Sequence, residues 1–458
     1  MSLLPPPTPI LSRLGITPEI VRRMPCGEKR THCRAIINWL TRHHGKPTAD
    51  NLEQIKGFLQ AFYHLCDLQE WERAFTLLST RLHTPTQELL HYQLKLWGYN
   101  LLRIDLYKAL LERGNYTAPD RWNARMLQFL GESYYTNGQY AEAEAYYQQS
   151  LIMFKTVGDP SDIGLLLTAL GDIYYVQGHY NQAIEHHTQG LDIARSVNLI
   201  FAQGIALGSL GNIYEAKGDY SQAINYHQQH LRIAQQTKDL EMEGAALGNV
   251  GSCYQSLGQY AQARDYHHQH LAIAQRIGNR QGESNALGGI GSAHYNLGDY
   301  DRARAYFEQQ REIAKEIDDL ASQANALGAL GNVCLSVGEY AAALDLQQQH
   351  LAIAQAIGLR RNILYAIGDI GNVYVFLEDL VQAKDCYQQQ LAMAREVGDR
   401  TGEALALGNL GAVAFDLNEK SEARRLVQQQ FEIAQEIGDC NQIARALENL
   451  KKIAGSQR

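Results

Sequence analysis

Apolar positions recur along most of the chain at helical spacing, and the pattern itself returns every 40 residues. Leu130, Leu170, Leu210, Val250, Ile290, Leu330, Ile370 and Leu410 each precede a glycine, Gly131 through Gly411, in steps of 40. Twelve residues beyond each glycine stands an alanine, from Ala143 to Ala423. Within one unit, 204–243, Leu207, Leu210 and Tyr214 fall at i, i+3 and i+7, which is one face of a helix. Gly218-Asp219 then supplies a left-handed stop and a cap for the next helix. Tyr220, Ala223, Leu231, Ile233 and Ala234 give a second stripe, and Gly398-Asp399-Arg400 marks a stop between units. Each unit therefore predicts an antiparallel hairpin of a helix A and a helix B. A lone hairpin cannot bury both stripes, so neighbours must stack. The predicted fold class is all-α: a right-handed α-solenoid of antiparallel helical hairpins, with helix A lining its concave face.

The pattern Leu210-Gly211-x-x-Tyr214, then Gly218, Tyr220 and Ala223, resembles the tetratricopeptide repeat signature over residues 124–441. Typical units of that family run about 34 residues. The period of 40, with Ala406-Leu-Gly-Asn-Leu-Gly411 and Tyr226-His-Gln-Gln-His230, is similar to a long-repeat subgroup. That subgroup holds the Pins/LGN-type adaptors and bacterial multi-repeat proteins. The resemblance implies a non-catalytic scaffold or adaptor that holds a partner polypeptide in its concave groove. The alternative it implies is a peptide-sensing regulator that changes curvature to control an effector.

The ends differ from the array. Residues 1–25 read as a flexible Pro-rich lead-in. Residues 26–123 read as an irregular helical cap, in which Leu59, Phe62, Leu65, Trp71, Ala74 and Leu78 suggest a degenerate hairpin. This region is similar to helical segments that follow nucleotide-binding modules in bacterial signalling proteins. Residues 124–441 make eight repeats, and 442–458 a capping helix and tail, with Lys451 where glycine stood.

Charge narrows the partners. Residues 1–123 hold 16 Lys and Arg against 11 Asp and Glu, whereas the remainder holds 25 against 38. An acidic array is a poor match for phosphate backbones, so no nucleic acid partner is expected. Seven cysteines without a C-x-x-C pair read as reduced thiols in the cytoplasm. No apolar run is long enough to cross a bilayer, and the start lacks a secretory pattern.

No catalytic constellation emerges. Gly289-Ile-Gly291 opens like a dinucleotide fingerprint, but His294 stands at the sixth position, within a predicted helix. P-loop, H-E-x-x-H and G-x-S-x-G patterns are absent. Cys26, Cys33, His43 and His44 match no zinc-finger spacing. His186, His187, His227, His230, His267, His268, His270 and His350 cluster in helix B, where hydrogen-bonded spacers between repeats are expected. No metal, cofactor or enzymatic activity is expected.

In the family, helix-A positions 2, 5, 9, 12 and 13 line the groove. Position 5 holds Gly208, Gly248, Gly288, Gly328, Gly368 and Gly408, which would either open a channel for a ligand backbone or only permit tighter superhelical winding. The eight glycines at position 8 are expected to allow close packing of helix A on helix B. Asn212, Asn332 and Asn372 at position 9, with Asn249 and Asn409 at position 6, offer paired donors and acceptors for a peptide backbone. Tyr135, Tyr175 and Tyr295 at position 12 add stacking. Glu132, Asp172 and Glu215 make the face acidic, and the clamp cations of chaperone-tail binders are missing, so a neutral or basic partner segment is expected.

Overall fold

The structure, a computed structural model, describes residues 3–43, 49–84, 86–111, 120–158 and 160–455. Among the described residues there are helices but no strand, only one isolated bridge between Arg81 and Leu89. The N-terminal helices are α1 (Pro7–Leu14), α2 (Pro18–Arg23), α3 (Glu28–Arg42), α4 (Asn51–Asp67), α5 (Trp71–Leu78), α6 (Leu90–Leu96) and α7 (Asn100–Leu111). Hairpins follow: α8 (Arg121–Thr136) with α9 (Tyr140–Val157), α10 (Pro160–Val176) with α11 (Tyr180–Ser196), and α12 (Ile200–Ala216) before α13 (Tyr220–Thr237). The series continues as α14 (Leu240–Ser256), α15 (Tyr260–Ile277), α16 (Arg280–Asn296), α17 (Tyr300–Glu316), α18 (Leu320–Ser336) and α19 (Tyr340–Ala356). It ends with α20 (Arg360–Phe376), α21 (Leu380–Val397), α22 (Arg400–Asp416), α23 (Lys420–Ile437) and α24 (Cys440–Gly455). The chain forms two compact units, Met1–Ile213 and Tyr214–Arg458.

Local chemistry explains the hairpins. Gly218 sits at φ 77° and Gly398 at φ 71°, where an L side chain would be strained. Asp219 then accepts from Gln222 N–H, and Asp399 from Gly402 N–H, as N-caps. At the Gly218 column the last two repeats carry Glu378 and Asn418, both still left-handed at φ 60° and 64°. The predicted stripes are the core. Leu207, Leu210, Ala223 and Ala234 are buried, and the alanine column from Ala143 to Ala423 is wholly enclosed.

Position 8 works as predicted. A Cβ on Gly131, Gly291 or Gly371 would stand 2.6–2.7 Å from the ring of Tyr147, Phe307 or Tyr387 on helix B. Each glycine is thus a notch that takes one side chain of its own hairpin.

One expectation at the ends changes. In the stretch read as a flexible lead-in, α1 and α2 form, and Ile10, Leu11, Leu14, Ile16 and Val21 are buried. Prolines at the first turns of these helices leave no donor unsatisfied, so they start helices rather than stiffen a tail. At the other end, α24 buries Ala446 and Ile453, which closes the second unit with the helix-A pattern.

Candidate functional site

The glycines of position 5 do not open a channel along helix A. A Cβ on Gly248 would lie 3.0 Å from His270 Nδ1, on Gly288 2.8 Å from Gln310, on Gly328 2.7 Å from His350, and on Gly408 2.5 Å from Gln430. Gly368 meets Gln390 in the same way. These glycines form a second row of notches, filled from helix B. Gly208 is buried as well. In the second repeat the pair is inverted: Thr168 on helix A faces Gly190 on helix B, whose Cβ would lie 2.9 Å from Thr168 Oγ1. The large and small partners have exchanged helices while the volume is kept.

The histidine column is explained by the same packing. His187 seats on Gly171 and His267 on Gly251. Both ring nitrogens of His187 and of His227, and Nδ1 of His267, lack a hydrogen-bond partner among the described residues. The His187 and His267 rings fill notches rather than hydrogen-bonding between repeats, while His186 and His350 bond Gln182 and Gln347 of their own helices. Burial drops the His227 and His267 rings to about 4, and burial with nearby Arg103 does the same to His91. The unfolded chain takes up these protons near pH 6.5, whereas the folded chain resists them. Stability present above pH 6.5 is therefore lost as pH falls toward about 4, at up to about 1.4 kcal/mol per pH unit for each ring. Urea unfolding at pH 7, 6 and 5 checks this. His267→Gln should flatten the dependence, because Gln347 already occupies the same column; an unchanged slope would contradict it.

The asparagines lie in two settings. Asn372 accepts from Tyr387 Oη at 2.7 Å and donates to Asp369 at 3.3 Å. Asn332 accepts from Gln347 Nε2 at 3.0 Å. Burial pushes the Asp369 carboxyl up to about 6, against hydrogen bonds from Asn332 and Asn372. Asn409 accepts from Arg445 at 2.9 Å. Asn212 and Asn249 are also engaged in interactions.

Three of the predicted residues, Tyr295, Asn372 and Asn409, meet in one cleft of about 690 Å³ within the second unit. Tyr387, Arg445 and Asp416 add polar groups there, and Leu335, Val375 and Phe376 add apolar wall. Tyr295 Oη bonds Ser336 Oγ at 3.0 Å on its rim. Gly248 and Asn249 line a second cleft of about 480 Å³, with His267, His270 and Asn285. Of the other predicted residues, Tyr135, Tyr175, Glu132, Asp172, Gly208 and Asn212 belong to the first unit, and Asn332, Glu215, Gly288, Gly328, Gly368 and Gly408 to the second, outside these two clefts. Arg445 and Tyr387 were not legible as site residues, because one stands beyond the eight repeats and the other on helix B.

The expected acidity is weaker than the residue types suggest. Glu132 accepts from Lys95 at 2.6 Å and from the buried Arg103 at 3.1 Å, so it belongs to an ion-paired core and not to an open face. Burial raises the Glu215 carboxyl, with Cys253 donating to it. Asp172 stands 3.3 Å from His187 Nε2 and is half-exposed. His43 contacts Glu53, while Cys26 is exposed and Cys33 buried; His44 lies outside the described residues.

Stacked helical hairpins with clefts on their surface define an α-solenoid repeat protein. A tetratricopeptide repeat model matches residues 122–196, 241–315, 282–356 and 361–436, and a second such model matches 206–241. The chain belongs to the tetratricopeptide repeat family. No curated protein matches it. Among solved structures it is similar to aspartyl phosphate phosphatase F from Bacillus subtilis, at 16% identity and TM-score 0.55, covering 76% of this chain and 96% of that one. It is also similar to the apo quorum sensor NprR from B. thuringiensis, at 17% identity and TM-score 0.53, covering 75% and 99%. A third is a signal transduction ATPase with numerous domains and a tetratricopeptide repeat sensor from Pyrococcus horikoshii. It shows 16% identity and TM-score 0.55, covering 85% of this chain and 56% of that one. At these identities the likeness is one of fold. Among the described residues no helix is long and apolar enough to cross a membrane.

Proposed function

We propose that the protein is a non-catalytic interaction module that holds an extended segment of a partner polypeptide in the cleft of about 690 Å³ in its second unit. The observation that carries this reading is the convergence of Asn372, Asn409, Tyr387 and Arg445 beside the apolar Leu335, Val375 and Phe376. Amides grip a peptide backbone through either partner, while an apolar wall takes one or two side chains. The amides are already ordered by Tyr387 and Arg445, so little side-chain entropy is lost on binding. Arg445 and Asp416 offset each other at the cleft, which favours a neutral segment; a basic one fits the acidity of the array as a whole. The 40-residue unit supports kinship with the Pins-type adaptors at the level of repeat design.

A second reading is a peptide-responsive regulator. It is favoured by the fold likeness to one structure described as a quorum sensor and another described as carrying a repeat sensor. Ligand-dependent compaction in small-angle scattering would separate the two.

The test is peptide selection on the full chain, followed by titration. Asn372→Ala with Asn409→Ala should weaken a selected peptide by more than about tenfold, or roughly 1.4 kcal/mol, with unchanged circular dichroism. Unaltered affinity would remove the cleft from consideration. An affinity that rises with salt would refute the neutral-or-basic assignment.

A further inference from the structure

We propose that His32, His64 and Asp67 form a binding site for a divalent transition-metal cation, zinc foremost, that ties α3 to α4. His32 Nδ1 and His64 Nδ1 lie 3.2 Å apart. Asp67 Oδ2 lies 3.7 Å from the first and 3.9 Å from the second. A cation bonded at about 2.0–2.2 Å to three such atoms holds them about 3.3 Å apart at tetrahedral angles. The observed sides of 3.2, 3.7 and 3.9 Å differ from that spacing by at most about 0.6 Å, which side-chain rotations of Asp67 can take up. The two rings meet edge to face at 80°, with centroids 5.1 Å apart.

The surroundings fit the same use. His32 turns its other nitrogen, Nε2, toward the exposed Glu28 carboxylate at 4.0 Å, on the same helix. The histidines are mostly covered while Asp67 is 60% exposed, so an ion reaches the site and open positions remain for water. Two imidazoles and one carboxylate favour zinc, cobalt or nickel over calcium or magnesium.

The sequence reading expected no metal. The two histidines stand 32 residues apart on different helices, at no finger spacing, and only the α3–α4 packing brings them together. Another trio, Glu215, His227 and Cys253, also has its ligand atoms within 4.8 Å of one another, with His227 Nε2 4.0 Å from Glu215 Oε2. Burial and Glu215 push the Cys253 thiol up to about 12, and that thiol donates to Glu215, so this trio serves as the control.

Calorimetric titration of the chelator-treated full chain with Zn²⁺ alone should show one equivalent bound. His32→Ala and His64→Ala should each weaken binding by about a hundredfold, at the upper end of what losing a supporting ligand does. Asp67→Asn, at an exposed side chain, should weaken it by about tenfold without disturbing the fold. It decides the matter with His64→Gln if an alanine variant fails to fold. Cys253→Ser should change nothing, and Co²⁺ in place of Zn²⁺ should show no sulfur charge-transfer band. Absence of saturable binding, full affinity in the histidine variants, or a cobalt–sulfur band would each overturn the assignment.

Discussion

Glu132→Gln lowers the stability of the first unit by about 3 kcal/mol. Arg103 is fully enclosed, and its guanidinium has Glu132 as its charged partner, at 3.1 Å. Lys95 shares the same carboxylate at 2.6 Å. Removing the charge leaves a buried cation uncompensated, and losing one member of such a pair is worth about 3–5 kcal/mol. The lower end is appropriate because Glu132 keeps 25% exposure and water can reach it. The measurement is urea unfolding of the single variant and of the double variant Arg103→Met, Glu132→Leu. The double variant should recover most of the loss, since apolar replacements of a buried pair are often neutral. A single variant as stable as the parent would show that the pair is screened by solvent and would return Glu132 to the candidate binding face.

Gly291→Ala should destabilise the second unit by about 2 kcal/mol, the reverse of the usual helix-interior result. Alanine ordinarily gains about 0.5–1 kcal/mol over glycine in a helix. Here the new methyl would lie 2.7 Å from Phe307 Cε1. Phe307 is packed with Ala303, Leu330 and Val333 and cannot withdraw without moving them. Overpacking of this kind costs about 1–3 kcal/mol. Phe307→Leu in the same background should restore part of the loss, because a smaller side chain vacates the notch. A stabilised Gly291→Ala would mean the hairpin has slack that the geometry denies.

The periodic part of the sequence was sufficient for the architecture. Gly218 with Asp219, the alanine column and the leucines before each position-8 glycine all report local or nearest-neighbour geometry, which repetition makes unmistakable. The site was legible only in fragments. Asn372, Asn409 and Tyr295, which line the candidate cleft, stood out through their helix-A register positions. Arg445 was not, because it enters the cleft from the helix that follows the last repeat. The position-5 glycines were misassigned for a definable reason. A glycine row marks a close approach but does not say from which side, and only His270, Gln310, His350, Gln390 and Gln430 reveal that helix B approaches. Helices α1 and α2 escaped because prolines punctuate a tail and start a helix with the same residue. The His32–His64 pair has no periodicity behind it.

The inverted pair at Thr168 and Gly190 bears on how such arrays can be rebuilt. A helix A grafted from the second hairpin onto α19 would bring Thr168 against His350, and two bodies would claim one space. The reciprocal graft would set Gly328 opposite Gly190 and leave a hole. A whole hairpin carries both halves of this match, whereas a single helix does not. A graft that keeps the position-5 fit therefore cuts in the turn between one hairpin and the next, and must still respect matches across that turn such as His267 against Gly289.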